Sequence, residues 1–486
     1  MPQGTIKQRV ADKPDLAVSA TFRHVLCVFP YARSKSSKTS FPPLGLEYVA
    51  AALRPYVEQI ELINFRHERH PSTQPFLRPE TDLVCYSINW RINLELIRDD
   101  INALPPGMMV IVGGRTATED PRYWLEACPN VAAVICGDGE QAMAEIGQQR
   151  PWSEVAGLVH RGDDGQLVFN PPRANAPLDD DLMPARNLRR RPYYLTSKGV
   201  STGIKVDKVA GSRGCPYNCN FCSFAINPWG VKRCWTARSP ASIVREIEQI
   251  DADLIFFVDD VFTHRPDRVA EICDLLIAKK IHKHYIVNAR SEIANRPDVL
   301  RKMEQAGFIA LLIGIESTQD ATLKSMGKGF TIKQVRQRFD VLRKSKMIIN
   351  TYFIVGNIGE TEEQMLSTAS FARSIGVDLI HVSRLRSELY SGLAELVQQT
   401  PGYHIDADGL VYSDAYSAEH IGSLRKQIDI RFHTPLHVAG VIIKLLRIMH
   451  WRVKAKALLT IPVFLTLLIV TQAHRKMRKW MGKPVH

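Results

Sequence analysis

GSRGCPYNCNFC, residues 211–222, places Cys215, Cys219 and Cys222 at CxxxCxxC spacing, directly after a candidate strand at Lys208 to Gly211. Three thiolates within eight residues can converge on one iron–sulfur cubane only if the backbone loops round it, which the Gly, Pro and Asn residues here permit. Three cysteines leave one iron of a [4Fe-4S] cluster without a protein ligand, and an open iron can bind a substrate or cofactor. The competing reading is zinc. A structural zinc takes four protein ligands, usually as pairs of CxxC or Cys/His spacing. No second pair lies nearby: Cys234 stands alone and His264 is distant.

Downstream, short apolar runs at Leu254 to Val258, His284 to Asn288, Ile309 to Ile313, Ile348 to Ile354 and Leu379 to Val382 read as further strands. Helical stretches such as Ala241 to Gln249 and Arg268 to Lys279 separate them. Six βα units in roughly 180 residues predict a partial (β/α)6 TIM-like barrel rather than the eight units of a full one.

Upstream, HVLCVFP (24–30) reads as a buried strand followed by a polar loop, YARSKSSKTS, and a helix from Pro43 to Leu53. Apolar runs at Ile60 to Ile63, Leu83 to Ile88, Met108 to Val112 and Val131 to Ile135 continue an alternating α/β pattern, which predicts a Rossmann-like parallel sheet with ligands at the strand C-terminal ends. Residues 160–205 are rich in Arg, Asp, Pro and Asn and read as a linker or small hairpin. The expected organisation is a leader (1–20), a Rossmann-like domain (21–160), a linker (161–204), the barrel (205–390) and a mostly helical C-terminal segment (391–486).

A chain of 486 residues suits two or three domains, and 45% hydrophobic with 23% charged residues is ordinary globular composition. Nine scattered cysteines with no secretory h-region argue for a reducing cytosol. The net charge of +13 is local: 13 Lys/Arg and one Asp fall between Arg425 and His486, so the catalytic body is nearly neutral.

That basic tail contains HVAGVIIKLLRIMHWRVKAK, then an uncharged run from Ala457 to Ala473 interrupted by Pro462. The run falls short of the roughly 20 residues of a bilayer span. An interfacial helix, with Trp451 and Trp480 near headgroups and lysines on anionic lipid, is the expectation, against a helix packed on the barrel. An RNA-binding tail is disfavoured because the segment offers aliphatics rather than stacking aromatics, and no nucleic-acid partner is expected.

The cysteine motif, with Phe221 before its third cysteine, resembles the signature of radical S-adenosylmethionine enzymes. SPASIVREIEQI (239–250) is similar to that family's first helix, IFFVDDVF (255–262) to its second strand, LLIGIES (311–317) to its fourth and NTYFIVGNIGETEE (350–363) to its glycine-bearing fifth. The resemblance implies that Cys215, Cys219 and Cys222 hold a [4Fe-4S] cluster and that S-adenosylmethionine chelates the open iron. An electron from the cluster then cleaves a C–S bond to give a 5'-deoxyadenosyl radical. By position it assigns Phe221 to the cofactor site, Asp259 and Asp260 to the methionyl amine, Arg290 to the methionyl carboxylate, Glu316 to the ribose and Gly356 to close approach by adenine. For the acidic residues a helix cap or solvated loop charge is the alternative, and for Arg290 a surface salt bridge.

In its order of elements the N-terminal domain resembles the cobalamin-binding domains found ahead of this barrel, through PPLGLEYVAAAL (42–53), DLVCYSINW (82–90), VIVGGRTAT (110–118) and ICGDGE (135–140). That assigns Ser87, Gly113 and Gly114 to cobalamin. The Asp-x-His-x-x-Gly cobalt-ligand motif is missing: INFRHERH has Asn64, His67 and His70 at other spacing, and both histidines read as exposed loop residues. Cys27, Cys85 and Cys136 read as core. Layout of this kind resembles hopanoid methylases and the anaerobic Mg-protoporphyrin monomethyl ester cyclase, and implies C-methylation of an apolar lipid, isoprenoid or tetrapyrrole. An electron donor such as flavodoxin or ferredoxin goes with it, in the cytoplasm at the inner membrane face. The alternatives are non-methylating radical chemistry (oxidative cyclisation, hydroxylation or rearrangement) and a non-catalytic cluster or zinc scaffold at the membrane. A tRNA methylthiotransferase lacks support, since no second set of cluster cysteines lies upstream.

Overall fold

The computed structural model describes residues 20–32, 41–197, 200–223, 234–389 and 391–458. Their contacts form two compact units, one built from β1 (Phe22–Phe29) with residues 46–63 and 72–171, the other from residues 30–45, 64–71 and those after 171.

In the first unit the elements after β1 are α1 (Leu44–Leu53), β2 (Val57–Asn64), β3 (Thr81–Ser87), α2 (Leu94–Asn102), β4 (Met109–Gly113), α3 (Arg115–Glu119), α4 (Pro121–Ala127), β5 (Val131–Ile135), α5 (Glu140–Gly147), β6 (Leu158–Arg161) and β7 (Leu167–Phe169). The sheet order is β2-β1-β3-β4-β5-β6-β7, with β1, β3, β4 and β5 parallel. Helices cover both faces of such a sheet, so its strands are apolar throughout rather than alternating. Val25 to Val28 of β1 and Val110 and Val112 of β4 are fully buried. The 160s hairpin, β6 and β7, extends the sheet antiparallel beyond β5. The order reverses between β1 and β3, and the crevice beyond the strand C-terminal ends at such a switch is where doubly wound sheets bind ligands.

The second unit continues with β8 (Tyr194–Ser197), β9 (Val200–Val209), the two-residue strands β10 (Ser212–Arg213) and β11 (Thr236–Ala237), α6 (Pro240–Gln249), β12 (Leu254–Phe257), α7 (Pro266–Ala278), β13 (His284–Ala289), α8 (Pro297–Ala306), β14 (Phe308–Glu316), α9 (Asp320–Ser325), α10 (Ile332–Leu342), β15 (Ile348–Val355), α11 (Glu362–Ser374) and β16 (Leu379–Arg384). Strands β9, β12, β13, β14, β15 and β16 run parallel in that order, and β8 is antiparallel to β9, so the sheet is an open six-unit barrel with a hairpin edge. Alternation assigns the faces. Val209, Ile255, Val287, Leu311, Ile349 and Val382 belong to the core that the outer helices share, which turns Val206, Phe256, Ile286, Leu312, Tyr352 and His381 to the concave side.

The segment before β8 is fastened to the convex side by ions. Arg189 grips Asp207 with two nitrogens at 2.6 and 2.9 Å, Arg186 reaches Asp207 at 3.2 Å and Glu246 at 2.6 Å, and the fully buried Arg238 completes the set on Glu246.

After β16 come α12 (Leu393–Gln398), the hairpin β17 (Tyr403–Ile405) and β18 (Val411–Ser413), α13 (Ala418–Phe432) and α14 (Pro435–Ile448). Met449 and Val453, in the stretch that follows α14, pack with Ile204, Val206, Leu254 and Ile309 on the concave side, closing the barrel at its strand N-terminal end. His450 N–H donates to His284 Nε2 at 2.8 Å, Lys456 pairs with Asp253 at 2.7 Å, and Lys444 pairs with Asp378 at 2.6 Å. Residues 435–458 therefore pack on the barrel along one side, through Met449, Val453 and these polar contacts. Lys444 and Lys456 face protein carboxylates, whereas lipid contact was the expectation. Among the described residues no helix is long and apolar enough to cross a membrane. Most of the apolar run 457–473, Trp480 and the leader lie outside the described residues.

Candidate functional site

The cysteine loop leaves the barrel through a narrow neck. Ser212 and Arg213 pair antiparallel with Ala237 and Thr236. Asp259, fully buried at the end of β12, accepts Gly211 N–H at 2.8 Å and the Ser212 hydroxyl at 2.5 Å. Burial pushes its carboxyl up to about 6, against the pull of those two hydrogen bonds. Arg268 donates to Gly211 O at 2.7 Å and to Arg238 O at 3.0 Å, tying both strands of the neck to α7. Asp259 is thus turned to the loop's frame and its oxygens are taken. Burial pushes the Cys215 thiol up, and the charge of Asp260, the residue after Asp259, adds to it.

The far side of the loop rests on the turn after α9. Asn220 donates from its backbone N–H to Met326 O at 3.2 Å and from Nδ2 to Ser325 O at 2.7 Å. Gly327 sits at φ +70°, with Asn218 O 2.8 Å from where a Cβ would stand, so only glycine lets the turn approach the loop this closely. Phe221 packs beside Met326, Leu385 and Leu393, with Ile354 and Ile358 as half-buried neighbours. Arg290 lies 3.7 Å from the centroid of Tyr217, donates to Lys328 O at 2.7 Å and pairs with Glu292 at 2.9 Å. The guanidinium that the resemblance assigned to a methionyl carboxylate therefore braces the loop from below.

Glu316 adopts φ +78°, rare for a side-chain-bearing residue, and its carboxylate folds back over Gly314, where a Cβ would leave it no room. There it meets Lys328 Nζ at 3.2 Å, both groups buried. Gly356, at φ +79°, gives its missing Cβ space to Ile421 of α13, 3.1 Å away, so its close approach is to a helix of this chain. Glu360, held by Gly356 N–H, Asn357 N–H and Asn357 Nδ2 at 2.9 to 3.0 Å, locks that turn. Sequence reasoning missed Ser212, Tyr217, Arg268 and Lys328; the paired glycines of MGKG (326–329), both left-handed, were the readable signal for the last.

The three thiols are half-exposed, undisulfided and carried on one braced loop, a donor set suited to iron. Among the described residues no three Cys, His, Asp or Glu side chains already stand at metal-closing distance.

In the first unit, Ser87 and Gly113 end neighbouring strands at the C-terminal edge. Ser87 Oγ accepts Asn89 Nδ2 at 2.9 Å. Gly114, at φ +99°, has Ile88 O at 2.7 Å from a Cβ position, so this glycine serves the fit between two loops of the chain, while Gly113 meets only ordinary contacts. Gly137 at the β5 end is left-handed with nothing within 4 Å of a Cβ. Trp90, 44% exposed and edge-on to Phe29 at 5.5 Å, adds an apolar rim. A strand-end edge that carries both open backbone and an exposed aromatic suits a broad, flat ligand. His70 is exposed, but His67 is half-buried, edge-on to Tyr193 at 4.8 Å. Cys27, Cys85 and Cys136 are buried, as expected of core residues.

Residues 209–372 match the radical SAM superfamily model, and residues 33–147 match the B12 binding domain model. The chain belongs to the radical SAM enzymes that carry a B12-binding domain. Its cofactors are a [4Fe-4S] cluster, S-adenosylmethionine and cobalamin. It is similar to an uncharacterized methyltransferase of Pyrococcus horikoshii (26% identity, over 73% of this chain and 78% of the relative) and to the hopanoid C-3 methylase of Methylococcus capsulatus (27%, 68% and 70%). Against the anaerobic magnesium-protoporphyrin IX monomethyl ester cyclase of Rubrivivax gelatinosus it is 26% identical over 60% of this chain and spans only 54% of the cyclase. In fold it is similar to the radical S-adenosylmethionine methyltransferase TsrM of Kitasatospora setae, solved with cobalamin and a [4Fe-4S] cluster (TM-score 0.64, 17% identity, 88% of this chain and 89% of that one).

Proposed function

We propose that this radical SAM enzyme is a C-methyltransferase acting on an apolar lipid, isoprenoid or tetrapyrrole. The observation that carries the reading is the concave face of the barrel sheet, where the half-buried Leu312 and Ile354 stand among Asn288, Asn350 and Ser383 above the floor made by Met449 and Val453. The relatives named as methylases and methyltransferases support it. When bound, the cofactors supply a 5'-deoxyadenosyl radical and a transferable methyl group.

The chain's own residues hold and orient. Cys215, Cys219 and Cys222 are the cluster ligands in this reading. Asp259, Arg268 and Arg290 keep their loop in place, while Asp260, Phe221 and the Glu316–Lys328 pair border the S-adenosylmethionine site, with Gly356 shaping the turn beside it. Ser87, Gly113 and Gly114 border cobalamin. The external reductant is a small electron-transfer protein such as flavodoxin or ferredoxin. S-adenosylmethionine labelled in its methyl group, incubated with reduced holoenzyme and the lipid and pigment extract of a strain lacking the gene, should yield a labelled product. A modified but unlabelled product would favour non-methylating radical chemistry.

A peripheral contact with anionic membrane at the cytoplasmic face completes the proposal. Leu436, Ile443 and Trp451 are 86%, 51% and 66% exposed, and Arg447 and Arg452 are exposed beside them. Cosedimentation with phosphatidylglycerol vesicles, absent with phosphatidylcholine vesicles, is the expected result; no binding to either contradicts it.

A further inference from the structure

Tyr352 of β15 and His381 of β16 are direct partners in the sheet register, on the concave side, with ring centroids 5.6 Å apart and planes at 72°. Among the described residues neither side chain has a hydrogen-bond partner; their contact is ring to ring. The residue facing Tyr352 on its other side is Gly314, over which the Glu316 carboxylate lies. Burial, then the charge of that carboxylate, pushes the Tyr352 phenol up. On the same face stand Leu312 and Ile354, both apolar, and β16 is the last strand of the open barrel.

A half-buried phenol and an exposed imidazole with no protein partner, side by side between Asn350 and Ser383 on the same face, lose hydrogen bonds to water when that face is covered. A ligand that covers it must return them. The groups the pair offers are one O–H and one imidazole, which exchange hydrogen bonds with an oxygen. Glu316 and Lys328 already satisfy each other, so they present no spare charge here.

We propose that Tyr352 and His381 grip a hydroxyl or carbonyl oxygen of the substrate, and so select an apolar molecule that carries one such group and position it in the barrel. This rests on the methyltransferase reading for the nature of the product, but not for the binding step.

The test uses anaerobically reconstituted full-length holoenzyme, methyl-labelled S-adenosylmethionine and the lipid and pigment extract of a strain lacking the gene. Tyr352→Phe and His381→Leu should each raise the extract concentration for half-maximal product about fivefold or more, the loss expected for one hydrogen bond. His381→Gln should recover part of the loss. Unchanged half-saturation in both variants overturns the proposal. So does loss of 5'-deoxyadenosine without extract, which would put the pair in the S-adenosylmethionine site. If the wild type forms no labelled product, the methylation reading fails separately. Half-saturation is then read from extract-stimulated 5'-deoxyadenosine formation, where a rise in both variants supports the grip and an unchanged value overturns it.

Discussion

The Asp259 carboxylate accepts the Ser212 hydroxyl at 2.5 Å, three residues ahead of Cys215, the first of the proposed cluster ligands, from a position with no solvent exposure. A charge this deep is tolerated because two donors meet it, and what they give in return is a fixed exit angle for the loop. Asp259→Ala should leave the Ser212 and Gly211 donors without their acceptor, at a cost on the order of 2 kcal/mol. Reconstituted protein should bind clearly less iron while keeping its far-UV circular dichroism. Full iron occupancy in this variant would show that the neck does not need Asp259.

The Glu316–Lys328 pair is buried on both sides, so breaking it from one side differs from removing it. Lys328→Met should cost roughly 3 to 5 kcal/mol, because it strands a buried carboxylate, and Glu316→Gln added to it should recover part of that. Urea unfolding of the two single variants and the double variant measures the coupling. Additive losses would mean the two groups do not interact.

Glu360 gives a pH signature. Burial pushes its carboxyl up to about 7, outweighing three N–H donors that favour the anion. Between the ordinary glutamate range, about 4.5, and 7 the folded chain holds this proton more tightly than the unfolded chain. Its contribution to stability therefore falls as pH rises through that window. Glu360→Gln removes the titration, so the Tm of the variant relative to wild type should improve from pH 5 to pH 7.5. A constant difference would contradict the raised value.

The stretch after α14 should behave as core on one side only. Val453→Asp puts an unpaired charge against Ile204 and Leu254 and should cost several kcal/mol in thermal unfolding. Trp451→Ser, at a 66%-exposed position, should change stability by about 0.5 kcal/mol or less. Equal effects would mean that the segment does not seal the barrel.

The elements that read most clearly in the sequence are those whose signal is local. The CxxxCxxC spacing of Cys215, Cys219 and Cys222 is such a signal, and so are the apolar runs from Leu254 to Val382, whose positions under the outer helices are filled by apolar residues. The roles of Asp259, Arg290 and Gly356 were not legible, because each depends on a partner distant in the chain: Ser212, Tyr217 and Ile421. The same holds for the tail. Lys444 and Lys456 look like lipid ligands until Asp378 and Asp253, far upstream, are seen to face them. The Tyr352–His381 pair is invisible for the opposite reason, since an alternating strand hides which polar residue lacks a partner.

The most direct test of the central claim is anaerobic reconstitution with iron and sulfide, reduction, and measurement of 5'-deoxyadenosine from S-adenosylmethionine. Wild-type protein should form it, and Cys219→Ala, folded but lacking one cluster ligand, should form none. A fully loaded, reduced wild type that leaves S-adenosylmethionine intact, or a Cys219→Ala variant that cleaves it at the wild-type rate, would contradict the account.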